Sequence, residues 1–218
     1  MVLTFEPMGD RAICIRGVDR PGLVAQALRL RELDGVEDVV AAFDALALYF
    51  HPGALPNEAT ISEWLESTPV DETVKPQRWV IPVDYSMGLD LRDVADQLGL
   101  RPEDVIELHA AREVEVLATG FRPGFAYCGL IAPELQGIPR RETPRRDVGP
   151  GAVAIANDLT AVYPQPGPGG WSIIGRTPLT LPTGDSGPAL MTGDLVRYEP
   201  INPATFDELH LQSLRPAP

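Results

Sequence analysis

The most unusual feature of the chain is a group of four arginines within seven residues. They are Arg140, Arg141, Arg145 and Arg146. Guanidinium groups bind carboxylates and phosphates through paired, charge-assisted hydrogen bonds. In a chain of net charge −13, the cluster predicts an anion-binding site, an ion-pair network with nearby Glu134, Glu142 and Asp147, or a docking surface for an acidic partner. Residue types alone do not choose among these three.

A second candidate is His109, which lies four residues after Val105 and so shares the apolar side of a predicted helix. Such a histidine is either a core residue with satisfied ring nitrogens or a proton carrier at the mouth of a barrel. No second histidine stands at ligand spacing, and Cys14 and Cys128 are isolated. Neither a metal site nor a disulfide is therefore predicted.

Three further motifs resemble functional sequences but lack a part that the chemistry needs. The GDSG string at 184–187 resembles a serine protease nucleophile, yet no suitable His and Asp accompany it, so a hairpin tip is expected. Residues 90–111 resemble a helix-turn-helix, but six acids against two arginines oppose docking on DNA. The glycine-rich segment 167–170 has no lysine for a phosphate loop, which leaves a turn or a backbone N–H anion loop.

Composition predicts a globular protein with many turns. Apolar residues make up 44% of the 218 residues, and 20 glycines and 23 prolines indicate frequent turns. There is no apolar run of about 18 residues, and no basic stretch followed by an apolar one at the N-terminus. The acidic net charge disfavours nucleic acid and anionic lipid as partners. We therefore expect a cytoplasmic protein with no membrane span.

The elements that must position these residues fall into two predicted domains. Residues 1–76 have the order strand–helix–strand–strand–helix, which is typical of a small split-βαβ domain of the α+β class. The predicted elements lie at 12–15, 21–33, 36–43, 45–50 and 58–66. The polar, proline-containing stretch 67–76 is the expected linker.

Residues 77–218 predict a second domain built as a small, closed or nearly closed β-barrel. After an apolar strand come two helices: Asp90 is expected to cap the first, with Asp93 three residues on, and Pro102 begins the second. No helical period is evident farther on, where glycines and prolines separate short β-prone runs. These runs lie at 113–119, 152–156, 160–163, 171–174, 179–181 and 194–198.

Several longer strings resemble one protein family in their order and spacing. Among them are GFRPGFAY, PRRETPR, GPGAV and IGRTP, which begin at residues 120, 139, 149 and 174. With IPV at 81–83 and GGW at 169–171, they resemble the family of the 5-oxoprolinase B subunits, also known as allophanate hydrolase subunit 1 and as a sporulation-kinase inhibitor. Two strings depart from the family pattern: DYSMG at 84–88 and DLTA at 158–161.

The resemblance implies a fold, partners and a reaction. The fold would be an N-terminal α+β domain followed by a cyclophilin-like β-barrel. The chain would be inactive without a second barrel-type hydrolase subunit, and with a third component the complex would use ATP to open the lactam of 5-oxoproline to glutamate. Allophanate or urea-type amides are related substrates, and a related arrangement forms the carboxyltransferase part of urea carboxylase.

The family resemblance and the chemistry of the side chains together predict the residues of the site. His109 is expected to act as acid/base or orienting group, and Arg122 and Arg145 to complete the catalytic set. The expected substrate-binding residues are Gly124, Tyr127, Arg140, Gly169, Gly170, Arg176 and Thr177. Among these, the arginines would hold the anionic groups of substrate and intermediate.

Two functions of other classes remain as alternatives. The chain could be a protein–protein module that inhibits a sensor histidine kinase without any catalytic role. Barrel analogy alone suggests a peptidyl-prolyl isomerase, but a shared fold does not establish a shared function.

Overall fold

A computed structural model describes residues 3–18, 20–67, 75–182 and 190–217. The chain divides into two compact units, Met1–Lys75 and Pro76–Pro218. The GDSG string at 184–187 and most of the expected linker lie outside the described residues. No helix of the described ranges is long and apolar enough to cross a membrane.

The first unit is a four-stranded antiparallel sheet with two helices. Its elements are β1 (Thr4–Pro7), β2 (Ala12–Arg16), α1 (Arg20–Leu30), β3 (Val36–Ala42), β4 (Ala45–Phe50) and α2 (Glu58–Ser67). The strand order is β1-β2-β4-β3, so β4 separates β2 and β3, the two strands that α1 connects. This is the expected split-βαβ arrangement, with β1 added as a strand that the sequence analysis missed.

The core of the first unit follows the period of its strands. Leu46, Leu48 and Phe50 alternate along β4 and are fully buried, because alternate side chains of a strand point to the same face of the sheet. They pack with Leu30 of α1 and Ile61 of α2 in one apolar cluster. The helices thus cover one face of the sheet.

The second unit contains a seven-stranded sheet and a separate two-stranded ribbon. Its elements are β5 (Arg78–Val83), α3 (Leu91–Leu98), α4 (Pro102–Ala110), β6 (Val114–Thr119), β7 (Ala126–Gly129), β8 (Arg145–Val148), β9 (Ala152–Ala156), β10 (Leu159–Val162), β11 (Gly167–Gly169), β12 (Ser172–Arg176), β13 (Leu195–Pro200) and α5 (Pro203–Leu209). The large sheet has the order β12-β9-β10-β7-β6-β13-β5, and β8 pairs with β11. Only the β13–β5 pair is parallel among the described strand pairs.

Backbone hydrogen bonds join the two edges of the large sheet at one end. The Asp84 N–H donates to the Arg176 carbonyl at 2.8 Å, and the Arg176 N–H donates to the Asp84 carbonyl at 3.0 Å. This links the end of β5 to the end of β12, so the sheet nearly closes into a barrel. The expected α+β fold with a barrel in its second part is confirmed.

Strand β9 is buried on both faces and separates two apolar clusters. Val153 and Ile155 point into the barrel core, which also contains Tyr198. Ala152, Ala154 and Ala156 face a second cluster that contains Phe125, Tyr163 and Trp171. Small residues on this face leave room for the aromatic rings that lie beside the ribbon strands.

Helices α3 and α4 pack on the barrel core. Gly99 ends α3 in the left-handed conformation, with φ +67°, which glycine adopts without steric cost. Val94 and Ala95 of α3 and Val105 of α4 belong to the barrel cluster. These packing roles account for the helix-turn-helix pattern.

Sequence patterns did not indicate strands β7, β8 and β11 or helix α5 of the second unit, and the strand predicted at 179–181 was wrong. Strand β8 was missed because three of its four residues are charged, which hides the strand period. Helix α5 was missed because it has only seven residues, although Asn202 caps it by accepting from Thr205 N–H at 3.0 Å. The expected strand at 179–181 is only a bridge from Thr180 to Ser213.

Candidate functional site

A buried carboxylate, Asp90, joins two of the clustered arginines to the barrel. Its Oδ1 accepts from Arg141 Nη1 at 3.0 Å and from Arg145 Nη2 at 2.6 Å. Its Oδ2 accepts from the Ile173 N–H of β12 at 2.7 Å. The Asp90 side chain is 5% exposed, so the ion pairs are shielded from water on the carboxylate side.

The expectation that the Asp90 side chain caps α3 was wrong. Asp90 stands at the N-cap position, but its side chain makes no capping hydrogen bond. Two charged guanidinium groups and the Ile173 N–H occupy the Asp90 carboxylate oxygens instead, and hydrogen bonds within an ion pair are stronger than one from a neutral helix N–H. The arginine cluster is therefore partly an ion-pair network, and its acid is Asp90 rather than Glu134, Glu142 or Asp147.

Backbone contacts hold the arginine segment against Gly169 at the end of β11 and Gly170, which follows it. The Arg141 N–H donates to the Gly170 carbonyl at 2.7 Å, and Arg145 pairs with Gly169 in the β8–β11 ribbon. A Cβ on Gly169 would lie 2.4 Å from Tyr163 Oη. Gly169 is thus required because the Tyr163 ring occupies that space, and residues 167–169 form a strand rather than the expected turn.

Aromatic rings adjoin this segment. Phe125 contacts Tyr127, Tyr163 and Trp171 edge to face, with ring centroids 4.9, 5.4 and 5.9 Å apart. Burial raises the pKa of Tyr163, while the positive charges of Arg140 and Arg145 oppose that rise. Tyr127 and Arg140 therefore lie in the same neighbourhood as the Asp90 network.

A cleft of about 380 Å³ opens beside Asp90. Charged and hydroxyl side chains dominate its walls. These include Asp90, Asp93, Arg140, Arg141, Glu142 and Ser172. The Arg141 side chain is 40% exposed and that of Arg145 is 23% exposed, so Arg141 is the more accessible of the two cations held by Asp90.

Arg145 has an unused donor on its inner side. Its Nη1 is buried and makes no hydrogen bond with a described residue. Asp90 neutralises one of the two guanidinium charges that it binds, and the trio of Asp90, Arg141 and Arg145 keeps a charge of +1. The trio thus keeps one positive charge beside a cleft that is also lined by the carboxylates of Asp93 and Glu142.

The structure does not bring all the expected arginines into this network. Arg122 Nη1 donates to the Pro166 carbonyl at 2.8 Å, and its guanidinium lies 5.6 Å from the Phe121 ring centroid. Arg176 Nε donates to the Pro150 carbonyl at 3.1 Å. Each of these guanidinium groups is engaged with a loop carbonyl.

Two other expected site residues have backbone roles. Gly124 has a positive φ of +82° and ends the turn before Phe125. Thr177 is 2% exposed; its N–H donates to the Gly151 carbonyl at 2.8 Å, and its Oγ1 accepts from Leu179 N–H at 3.3 Å. Both shape the barrel rim rather than present a free polar group to the cleft.

His109 lies inside the barrel core, where it is 3% exposed. Tyr85 Oη is 2.7 Å from Nδ1, and Thr160 Oγ1 is 2.9 Å from Nε2. Because the Thr160 hydroxyl donates to the Ala154 carbonyl at 3.2 Å, it accepts from Nε2–H, and Nδ1 then accepts from Tyr85. This pattern assigns the neutral Nε2–H tautomer.

Burial lowers the pKa of His109 to about 3 and raises the pKa of Tyr85. A neutral imidazole with both nitrogens bonded inside the core favours the satisfied-core interpretation over a proton carrier at the barrel mouth. Among the described residues, no three His, Cys, Asp or Glu side chains stand close enough to hold a metal ion.

Asp90 and Tyr163 were not predicted as members of this site, and Arg141 was not selected from its cluster. For Arg141 the signal was present in the arginine group itself. Asp90 lies 51 and 55 residues before its two partners, and no local pattern could have paired them.

Sequence similarity to two named proteins supports a family assignment. The chain is 37% identical over 183 residues to the 5-oxoprolinase B subunit of Escherichia coli O157:H7, an alignment that covers 80% of this chain and 82% of that protein. It is 33% identical over 219 residues to the 5-oxoprolinase B subunit of Bacillus subtilis (strain 168), covering 89% and 91%.

Solved structures share the fold. TTHA0988 superposes with a TM-score of 0.76 at 32% identity, over 88% of this chain and 40% of that chain, so this chain spans about two fifths of that longer protein. The conserved uncharacterized protein PH0987 from Pyrococcus horikoshii has a TM-score of 0.56 at 32% identity, covering 93% and 100%. Kluyveromyces lactis urea carboxylase has a TM-score of 0.73 over 99% of this chain and 24% of its own, but at 16% identity it supports only the fold.

A family model, described as "Carboxyltransferase domain, subdomain C and D", matches residues 3–190. This match covers both units and includes Asp90, the arginine cluster and β12. Together with the two relatives above, it shows that the chain belongs to the carboxyltransferase subdomain C and D family, the family of the 5-oxoprolinase B subunits.

Proposed function

We propose that this chain is the B subunit of an ATP-dependent amidohydrolase complex that opens the lactam of 5-oxoproline to glutamate. The observation that carries the proposal is the identity of 37% and 33% to two proteins named as 5-oxoprolinase B subunits, over 80% or more of each chain. The cleft beside Asp90, with Arg140 and Arg141 in its lining, gives the chain a place to hold an anionic group.

The reaction needs activation because an amide carbonyl is a poor electrophile. Transfer of the ATP terminal phosphoryl group to the lactam oxygen releases ADP; water then adds to the ring carbon, the C–N bond breaks, and glutamate and inorganic phosphate leave. Fixed positive groups lower the energy of the negative charge that develops along this path. In this chain, Arg140 and the arginines held by Asp90 supply such charge at the cleft.

The site is completed by other polypeptides in this proposal. A second barrel-type hydrolase subunit and a third component would provide the remaining walls and the larger share of ATP binding, and the chain alone would be inactive. Arg122 and Arg176, which bond loop carbonyls here, would contribute to the site through the rim that they order. His109 would act from the core as an orienting group.

The test is reconstitution with the products of the neighbouring genes. The complex is incubated with ATP and 5-oxoproline, and phosphate and glutamate are measured; parallel reactions contain allophanate, lack the lactam, or lack one subunit in turn. We expect phosphate and glutamate to form together only when 5-oxoproline and every subunit are present. Turnover of allophanate but not of 5-oxoproline would mean that allophanate is the substrate. If ATP hydrolysis depended on neither substrate in any reaction, the proposal would be refuted.

The kinase-inhibitor alternative makes a different prediction for the same preparation. A chain that acts as an inhibitory module would block autophosphorylation of a sensor histidine kinase at stoichiometric concentration without any partner subunit. Such inhibition, together with a reconstituted complex that hydrolyses neither lactam nor allophanate, would support that alternative.

A further inference from the structure

The two arginines that Asp90 binds, Arg141 and Arg145, differ in their accessibility to solvent. Arg145 lies on the inner side, 23% exposed and with a buried Nη1. Arg141 lines the cleft, is 40% exposed and bonds Asp90 through one nitrogen, Nη1. A guanidinium has five N–H donors in a planar fork, so Arg141 keeps most of its donors for another acceptor.

Asp90 fixes the orientation of that fork. A long side chain on a surface loses rotamer entropy when it binds a ligand, but Arg141 is already tied to a buried carboxylate. The backbone is tied as well, since Arg141 N–H donates to the Gly170 carbonyl at 2.7 Å. The cleft therefore offers a pre-oriented guanidinium, with Ser172 on the same wall.

The charge of the cleft selects the kind of anion. Asp90, Arg141 and Arg145 together carry +1, and Arg140 adds a second positive charge at the rim. Asp93 and Glu142 line the same cleft, and their carboxylates repel a polyanion such as the ATP triphosphate. With these two carboxylates the six charged groups sum to zero, so the cleft has no net positive charge for a phosphate chain, whereas one carboxylate can pair locally with the Arg141 guanidinium.

We propose that Arg141, held in place by Asp90, binds the carboxylate of the lactam substrate, and that Asp90 and Arg145 are positioning residues for it. The assignment rests on the proposed function and adds the substrate group that this part of the cleft recognises. Arg141 thereby sets specificity for carboxylated lactams, and its neighbour Arg145 raises the local positive potential without touching the ligand.

The test uses the reconstituted complex and two lactams. The first is 5-oxoproline; the second is 2-pyrrolidinone, which has the same ring without the carboxylate and is measured as a substrate or, where turnover is slow, as a competitive inhibitor. The variants are Arg141→Gln, Arg141→Lys and Asp90→Asn. Arg146→Gln is the matched control, because it removes the same charge from an exposed residue that makes no ion pair with a described side chain.

For Arg141→Gln we expect the KM for 5-oxoproline to rise about 30-fold, because a charge-assisted contact with the carboxylate is lost. The KM for ATP should change less than about twofold, and the constant for 2-pyrrolidinone should not change. Asp90→Asn should raise the 5-oxoproline KM about tenfold without changing the ATP value, a split that general loss of structure would not produce. Arg141→Lys should recover part of the affinity, and Arg146→Gln should match the wild type.

Other results would refute either the carboxylate assignment or the proposed function. Equal effects of Arg141→Gln on both lactams, or an effect on ATP instead, would overturn the carboxylate assignment while the proposed function stands. An inactive wild-type complex would refute the proposed function itself. Gel filtration shows whether each variant assembles, and if Asp90→Asn does not, the more exposed Arg141 variants carry the test.

Discussion

The neutral histidine inside the barrel makes the stability of the second unit depend on pH in a calculable way. The pKa of His109 is about 3 in the folded chain, because burial disfavours the charged ring, against 6.5 for an unhindered histidine. Below pH 6.5 the unfolded chain therefore binds a proton that the folded chain does not, and stability falls until the pH approaches 3. From pH 7 to pH 5 this single group costs about 2 kcal/mol of unfolding free energy.

His109→Gln isolates this contribution. Glutamine does not titrate, and it can still donate to Thr160, but it leaves the Tyr85 hydroxyl without its acceptor. We expect the variant to lose about 1–3 kcal/mol at pH 7. Between pH 7 and pH 5 its unfolding free energy should fall by about 2 kcal/mol less than that of the wild type. The variant lacks the titrating imidazole, and all other titrating groups are the same in both proteins.

Urea titrations followed by tryptophan fluorescence measure both values. A Trp64→Phe background removes the tryptophan of the first unit and leaves Trp79 and Trp171, which lie in the unit that contains His109. If the wild type and His109→Gln lose the same free energy between pH 7 and pH 5, then His109 is not a buried neutral group and the hydrogen-bond assignment is wrong.

Two further substitutions test the packing that supports the site. Gly169→Ala should destabilise the second unit by about 1–3 kcal/mol, because the new methyl group would lie 2.4 Å from the Tyr163 hydroxyl. Gly149→Ala is the control, because the nearest atom to its methyl group would be 3.7 Å away. Equal losses of unfolding free energy for the two variants in urea titrations would contradict the close contact at Gly169. Asp194→Ala should cost about 3 kcal/mol, because the buried carboxylate accepts from the Trp79 indole at 2.9 Å; a loss below about 1 kcal/mol would mean that this bond is replaced by water.

Local sequence signals predicted much of the fold. Strands β4 and β9 were predicted with the bounds that the structure has, since an uninterrupted apolar run between turn residues leaves few alternatives. Strand β11, with the sequence Gly-Pro-Gly, has no strand propensity at all. It exists because its backbone pairs with β8, a contact that only the folded barrel provides.

The candidate site was less accessible to sequence reasoning. The arginine cluster was evident from composition, but its division into an inner cation, Arg145, and a cleft-lining one, Arg141, depends on where Asp90 lies. Asp90 has an obvious local role as a helix cap, and the tertiary ion pairs override it. His109 was placed correctly on an apolar helix face, yet only the positions of Tyr85 and Thr160 reveal its tautomer.

The parallel pairing of β5 with β13 affects the order in which the second unit can form during synthesis. Gln77 and Asp194, which bond each other where this pair begins, are 117 residues apart. The first strand of the unit therefore leaves the ribosome long before its neighbour exists, with the apolar side chains of Trp79 and Ile81 unprotected. Contacts of such high sequence separation form late, so nascent chains that end before residue 195 should be the species that need a chaperone.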